Sequence, residues 1–195
     1  MTIAAKVRAH KVSSEAILCV SGSYNMVGPD SPAIEAMTDF ARVSAATIGA
    51  AASVIAANST MISRGVRLLL VVDDDGQIKG LITARDTLGE KPMQLSQGRG
   101  VKHHELTVAD LMCPVGDIDS ITLKDVANAR VVDILDALRS LGRQHILVDD
   151  IDPATGGPRV RGVFSATQIG RLLGVPVQSF ELARTFGEIE AALAN

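Results

Sequence analysis

Few residues of this 195-residue chain are spaced for chemistry. His103 and His104 are adjacent, so on a helix they diverge, and no cysteine or carboxylate spacing completes a zinc site around them. Asp73, Asp74 and Asp75 are consecutive, whereas a calcium loop spreads its ligands over a dozen residues, so an acidic turn is the better reading. Gly98-Arg99-Gly100 is too short for a phosphate-cradling loop. His145 sits in an apolar run with no Ser or Cys nucleophile in a recognisable motif, which suits a hydrogen-bonded core histidine. Cys19 and Cys113 lie far apart and read as buried thiols of a reducing compartment. No catalytic residue and no metal ligand is assigned, and the chain reads as non-enzymatic. One polar pattern does occur twice: Thr83-Ala84-Arg85-Asp86 and Ser165-Ala166-Thr167-Gln168. A hydroxyl followed three positions on by a polar residue is the signature of a helix start, with Thr83 or Ser165 as cap.

The elements that position these tetrads are themselves repeated. Residues 53–86 align with 130–168 when Gly65 is set on Gly142. Ahead of each glycine, Val54, Ala57, Asn58 and Met61 fall at the offsets of Val131, Ile134, Leu135 and Leu138, one face of a helix. Each glycine stands where a left-handed C-terminal cap is needed. A strand follows in each copy, Val66 onward and Arg143 onward, apolar enough to be covered on both sides. The first then turns back through Asp73-Asp74-Asp75-Gly76, and the second through a longer turn, from Asp150 to Pro158. Short helices continue toward Gly89 and Gly174. The division read from this pattern is an N-terminal arm over 1–36, a first unit over 37–90, a polar linker over 91–106, a second unit over 107–174 and an amphipathic helix over 175–195. The fold class is mixed α+β, with two tandem β-α-β-β-α units.

Composition narrows the function classes. Apolar residues make up 47% and charged residues 21%, which suits a packed soluble protein rather than a disordered one. Aromatics are 3%, and the net charge is −3 without a Lys/Arg block, so stacking platforms and a nucleic-acid footprint are both lacking. Residues 43–63 carry no charge and are long enough to cross a bilayer, but Ser, Thr and Asn interrupt them and most of the rest is alanine. A membrane span is rejected. The apolar stretch at Ile17 to Val20 is too short for a signal peptide and gives a weak strand signal, so a cytoplasmic location is expected.

The order helix-Gly-strand-Asp-Gly-strand, ending in Gly80-Leu81-Ile82-Thr83-Ala84-Arg85-Asp86, resembles the CBS domain, whose tandem pairs form Bateman modules. The layout is similar to small stand-alone bacterial CBS-pair proteins. The resemblance implies two units packed through their sheets, with two clefts that take AMP, ATP or S-adenosylmethionine, and no required cofactor. It assigns the ribose hydroxyls to Asp86, a ribose or phosphate contact to Thr83, and basic contacts to Arg67 and Arg85. Thr47 and Ile48 stand where family members contact the adenine. A carboxylate can accept both hydrogen bonds of a vicinal diol, and a helix starting near Thr83 would offer N–H groups to a phosphate. The second copy departs from the pattern, with Gln168 in place of the acid, Ser165 keeping the hydroxyl, and Gln144-His145 replacing Arg67-Leu68. The first cleft is therefore expected to bind nucleotide better than the second, weaker site of Ser165, Gln168 and His145.

Three functions follow from this reading. The leading one is a regulatory module that binds an adenosyl ligand and signals by a conformational shift, as a homodimer or with an unidentified protein partner. The alternative is a ligand-free dimerisation scaffold with closed clefts. An enzyme ranks third.

Overall fold

The computed structural model describes residues 27–175 together with Gly187, Ile189, Glu190, Ala191 and Leu193. The weak strand signal near Ile17 and the thiol of Cys19 lie outside the described residues.

Two four-stranded sheets carry the fold. In chain order the strands and helices are β1 (Thr38–Asp39), β2 (Thr47–Gly49), α1 (Val54–Arg64), β3 (Leu68–Val72), β4 (Ile78–Thr83), α2 (Ala84–Leu88), α3 (Glu90–Arg99), α4 (Val108–Leu111), β5 (Cys113–Pro114), β6 (Ser120–Thr122), α5 (Leu123–Asn128), α6 (Val131–Ser140), β7 (His145–Ile151), β8 (Pro158–Ser165) and α7 (Ala166–Leu172). The fold class is mixed α+β. Its two sheets run β2-β3-β4-β5 and β6-β7-β8-β1. Their registers repeat: Thr47 pairs with Leu70 in parallel as Ser120 does with Leu147, and Leu68 pairs with Thr83 antiparallel as His145 does with Ser165.

Of the helix faces read from the sequence, Val54, Ala57 and Met61 on α1 are buried while Asn58 is half-buried, and Val131, Ile134, Leu135 and Leu138 on α6 are all buried. Gly65 and Gly142 follow these helices with φ of 63° and 64°, a left-handed conformation in which a Cβ would be strained. The first hairpin turns at Asp73–Gly76 as the Asp-Gly signal implies. There the Asp73 carboxylate accepts the N–H groups of Asp75 and Gln77 and pairs with Lys79. In the second hairpin β7 runs on to Ile151, so the turn is shorter than the sequence suggested, with the Asp152 N–H bonded to the Gly157 carbonyl.

The outermost strand of each sheet comes from the other side of the chain. β1 pairs with β8, and β5 pairs with β4, so both boundary strands cross into the opposite unit. The segments leading into them follow. Ala33, Ala36 and Met37 are buried against Val126, Val131 and Phe164, while Leu106, Val108 and Leu111 are buried against Val54, Leu69 and Ile82. Within the units drawn at 37–90 and 107–174, β1 and β5 thus each pair with a strand of the other unit. Residues 91–106, read as a linker, include α3, whose Arg99 pairs with Asp110. Pro92 stands in the first turn of that helix, where a missing N–H costs nothing.

A third cluster, Leu70, Leu81, Leu147 and Val163, joins the two sheets face to face. Ile189 of the C-terminal segment is helical and buried in the second unit's core, and Glu190 pairs with Arg139; of the segment read as an amphipathic helix, Val175, Gly187, Ile189, Glu190, Ala191 and Leu193 are described and the other residues lie outside the description. Among the described residues no helix is long and apolar enough to cross a membrane, and residues 43–63 form β2 and most of α1.

Candidate functional site

Two clefts lie on either side of the sheet-to-sheet contact, related by the internal repeat. The first has an inner cavity of about 160 Å3. Thr83, Arg85 and Asp86 line it from the first unit, and Asp117, Asp119, Arg143, Gln144 and His145 from the second. It opens onto a shallow shelf of about 580 Å3 beside Lys91 and Pro114. The second is a single cavity of about 490 Å3. Ser165 and Gln168 line it from the second unit, and Ser44, Ala45, Ala46, Arg64 and Arg67 from the first.

The polar groups of the first cleft already serve the fold. Asp86 Oδ2 accepts the Thr83 hydroxyl at 2.6 Å and the Thr83 N–H at 2.8 Å, and the Asp86 N–H is directed at Thr83 Oγ1. This is a closed capping box. The helix it starts, α2, has five residues, so the open N-terminal turn expected for a phosphate is absent here. Arg143 donates to Asp119 at 2.9 Å and to the Asp117 carbonyl at 3.1 Å. Cys113, read as a buried thiol, lines this cleft half-buried, and burial raises its pKa.

The second cleft differs in charge. Arg64, Arg67 and Arg171 line it, and no Asp or Glu does among the described residues. Burial first, and the nearby Arg171 second, push Arg67 below its ordinary arginine value. Ser165 makes no cap bond to α7, against the reading of that hydroxyl as a helix cap. The apolar part of the wall is Ala45, Ala46, Val66 and Leu70.

The structure thus redistributes the residues named from the sequence. Thr83, Arg85 and Asp86 share the first cleft; Arg67 lines the second with Gln168 and also a small cavity with Thr83 and Arg85. Thr47 is exposed on β2, Ile48 packs into the first unit's core, and neither lines a cleft; Ser44, Ala45 and Ala46 do instead. His145 lines both cavities. Desolvation, helped by the charge of Arg67, lowers its pKa to about 4, so its imidazole is neutral at pH 7. Sequence reasoning missed Arg64 and Arg171, whose only signal was their position one residue before Gly65 and three before Gly174. Among the described residues no group of three or more His, Cys, Asp or Glu is arranged to hold a metal ion.

Comparison with known proteins bears on this arrangement. Residues 33–91, comprising β1 to α2, match the model of the CBS domain. This segment of the chain carries the CBS-domain match. Among solved structures, this chain is similar to an uncharacterized conserved protein from Pyrococcus horikoshii, at 18% identity over 78% of this chain and 99% of that one, with a TM-score of 0.55. A CBS-domain containing protein from Agrobacterium tumefaciens matches at 18% identity over 68% of this chain and 88% of that one, TM-score 0.51. CBSX2, a CBS-pair protein of Arabidopsis thaliana solved in complex with AMP, matches at 20% identity over 72% of this chain and 94% of its own, TM-score 0.50. At these identities the likeness is one of fold, and it extends past the segment that the family model reaches. No curated protein matches the sequence.

Proposed function

We propose that this CBS pair is a non-catalytic regulatory module that binds an anionic adenosyl ligand, such as AMP or ATP, in its second cleft. The observation that carries this reading is the convergence of Arg64, Arg67 and Arg171 on one cavity of about 490 Å3. That volume suits a drug-sized ligand, since such pockets span roughly 300–1,000 Å3. The apolar wall of Ala45, Ala46 and Val66 offers a slot for the base, and the guanidiniums neutralise phosphate. Support also comes from CBSX2, which holds AMP on the same fold. The ranking of clefts from sequence, which favoured Asp86, is here reversed.

Ligand in this cleft would touch α7 and β3 at once, and so bias how the two units pack. A homodimer is part of the proposal: Ile55 and Ile62, seven residues apart on α1, are 50% and 74% exposed, and Leu88 at the end of α2 is 64% exposed.

A thermal-shift series with AMP, ADP, ATP, S-adenosylmethionine and NAD tests the reading. Ligand at 100 times its Kd stabilises by ~2.7 kcal/mol, several degrees for a domain of this size. Stabilisation by a phosphate-bearing adenosyl ligand, lost in Arg67→Gln, is the expected result. No shift with any of the five overturns it in favour of a ligand-free scaffold.

A further inference from the structure

Among the described residues, His145 is the one side chain that lines both clefts. It also lines a third cavity of about 10 Å3 whose wall draws on both, with Thr83 and Arg85 from the first and Arg67 and Thr167 from the second. The repeat sets Leu68 at the matching position, since Leu68 pairs with Thr83 as His145 pairs with Ser165. A leucine closes such a wall with carbon alone. An imidazole brings a donor and an acceptor when neutral, and two donors when charged. Among the described residues neither nitrogen of the His145 ring finds a hydrogen-bond or ion-pair partner.

Charge around this ring is uneven. Toward the second cleft stand Arg64 at the end of α1, Arg67 ahead of β3 and Arg171 on α7, and no carboxylate among the described residues. Toward the first stand Arg85 and Asp86 of α2, Asp117 and Asp119 ahead of β6, Arg143 ahead of β7 and the thiol of Cys113, with Arg143 bonded to Asp119. Burial keeps the ring neutral, the Arg67 charge adds to that, and Asp86 opposes it least strongly. An anion entering the second cleft changes this balance, because negative charge within roughly 4–6 Å favours the imidazolium. A charged N–H also gives a phosphate oxygen a stronger hydrogen bond than a neutral one. One phosphate suffices for this, however the neighbouring arginines are otherwise engaged.

We infer that His145 is a contact of the anion held in the second cleft and becomes protonated on its arrival, so that ligand and proton are taken up together. The inference rests on the reading of that cleft as the ligand site, and deepens it by naming the group through which pH governs occupancy. The sign follows from linkage. A proton held more tightly in the complex than in the free chain strengthens binding as pH falls from neutrality toward the free ring's pKa of about 4.

Calorimetric titration of the full chain with AMP and ATP, at about pH 6 in buffers of different ionisation enthalpy, counts the protons taken up. His145→Gln keeps a hydrogen-bonding side chain that does not titrate, so it separates the share of this ring from that of the ligand's own phosphates. Wild type should take up more protons than the variant, and should gain about tenfold in affinity over it between about pH 7.5 and about pH 5.5. The sequence holds four histidines. A chain carrying His10→Gln, His103→Gln and His104→Gln therefore leaves His145 as its only imidazole resonance, and keeps the test available if His145→Gln fails to fold. Its titration by NMR should move upward by about one pH unit or more in saturating AMP or ATP. Equal proton counts in wild type and His145→Gln with ligand bound, or a His145 titration unmoved by the ligand, overturn this inference and leave the adenosyl-ligand reading standing. Absence of binding by AMP and ATP alike overturns both.

Discussion

The carboxylate of Asp86 accepts two hydrogen bonds from Thr83, one from its hydroxyl at 2.6 Å and one from its backbone N–H at 2.8 Å. Both fall on Oδ2, so the acid at the heart of the repeated tetrad is first of all half of a helix cap. Asp86→Ala should therefore lower stability by about 1 kcal/mol, the usual effect of losing a cap. Its affinity for ATP should stay within about twofold of wild type, because the ligand is assigned to the other cleft. Denaturant titration and calorimetry on the same variant separate the two effects.

Gly162 carries the exchanged strand β1 across its face: a Cβ there would meet the Thr38 carbonyl oxygen at 2.6 Å and the Met37 sulfur at 2.9 Å. Gly80 stands in the same relation to Cys113 and Met112. The carbonyl is backbone and cannot swing aside. Gly162→Ala should cost about 1–3 kcal/mol through overpacking, measured by urea unfolding. Gly116→Ala, at a position with open space, is the control and should be close to neutral.

Asp39 fastens the same strand. Its two oxygens accept Arg161 Nε and Nη2, each at 2.8 Å, across a separation of 122 residues. The Arg161 hydrogen bond holds the Asp39 pKa below the ordinary carboxylate value. A carboxylate with a depressed folded pKa contributes stability that is complete above its unfolded pKa and is lost as pH falls through the folded one. Asp39→Asn should lose about 1.5–3 kcal/mol at pH 7, the range for hydrogen bonds to charged groups. That difference from wild type should shrink on acidification below the ordinary carboxylate range, as followed by unfolding at stepped pH.

His145 should act over a different window. Its folded pKa is lowered to about 4 by desolvation and by Arg67, against an ordinary value of 6.5. The unfolded chain then takes up a proton that the folded chain does not, so stability falls between pH 6.5 and about 4. Leu68 occupies the matching place in the first copy, and His145→Leu should remove this part of the pH dependence. A pH–stability profile identical in the two proteins would contradict the assignment.

How much of this was legible in the sequence depends on the range of the interaction. The helix-glycine-strand order was readable because Val54, Ala57 and Met61 and their counterparts are buried at helical spacing, and because Gly65 and Gly142 cap locally. The exchanged strands were not, since β1 and β5 have two residues each and show no period. A signal existed in the alignment of Ala33-Ile34-Glu35-Ala36-Met37 with Val108-Ala109-Asp110-Leu111-Met112, whose segments pack equivalently. α3 escaped notice because polar residues dominate it and Pro92 and Gly98 interrupt the helical pattern. Which residues share a cleft was not legible, for a topological reason. Each sheet packs on the other, so Arg67, just ahead of β3, lines a cavity with Gln168 at the helix start of the opposite unit. No offset along the chain carries that information.

The most direct test is a crystal structure of the protein grown with ATP. Difference density is expected in the second cleft, with phosphates among Arg64, Arg67 and Arg171 and the base against Ala45 and Ala46. Density confined to the first cleft, with the ribose on Asp86, or no density in either, would contradict it.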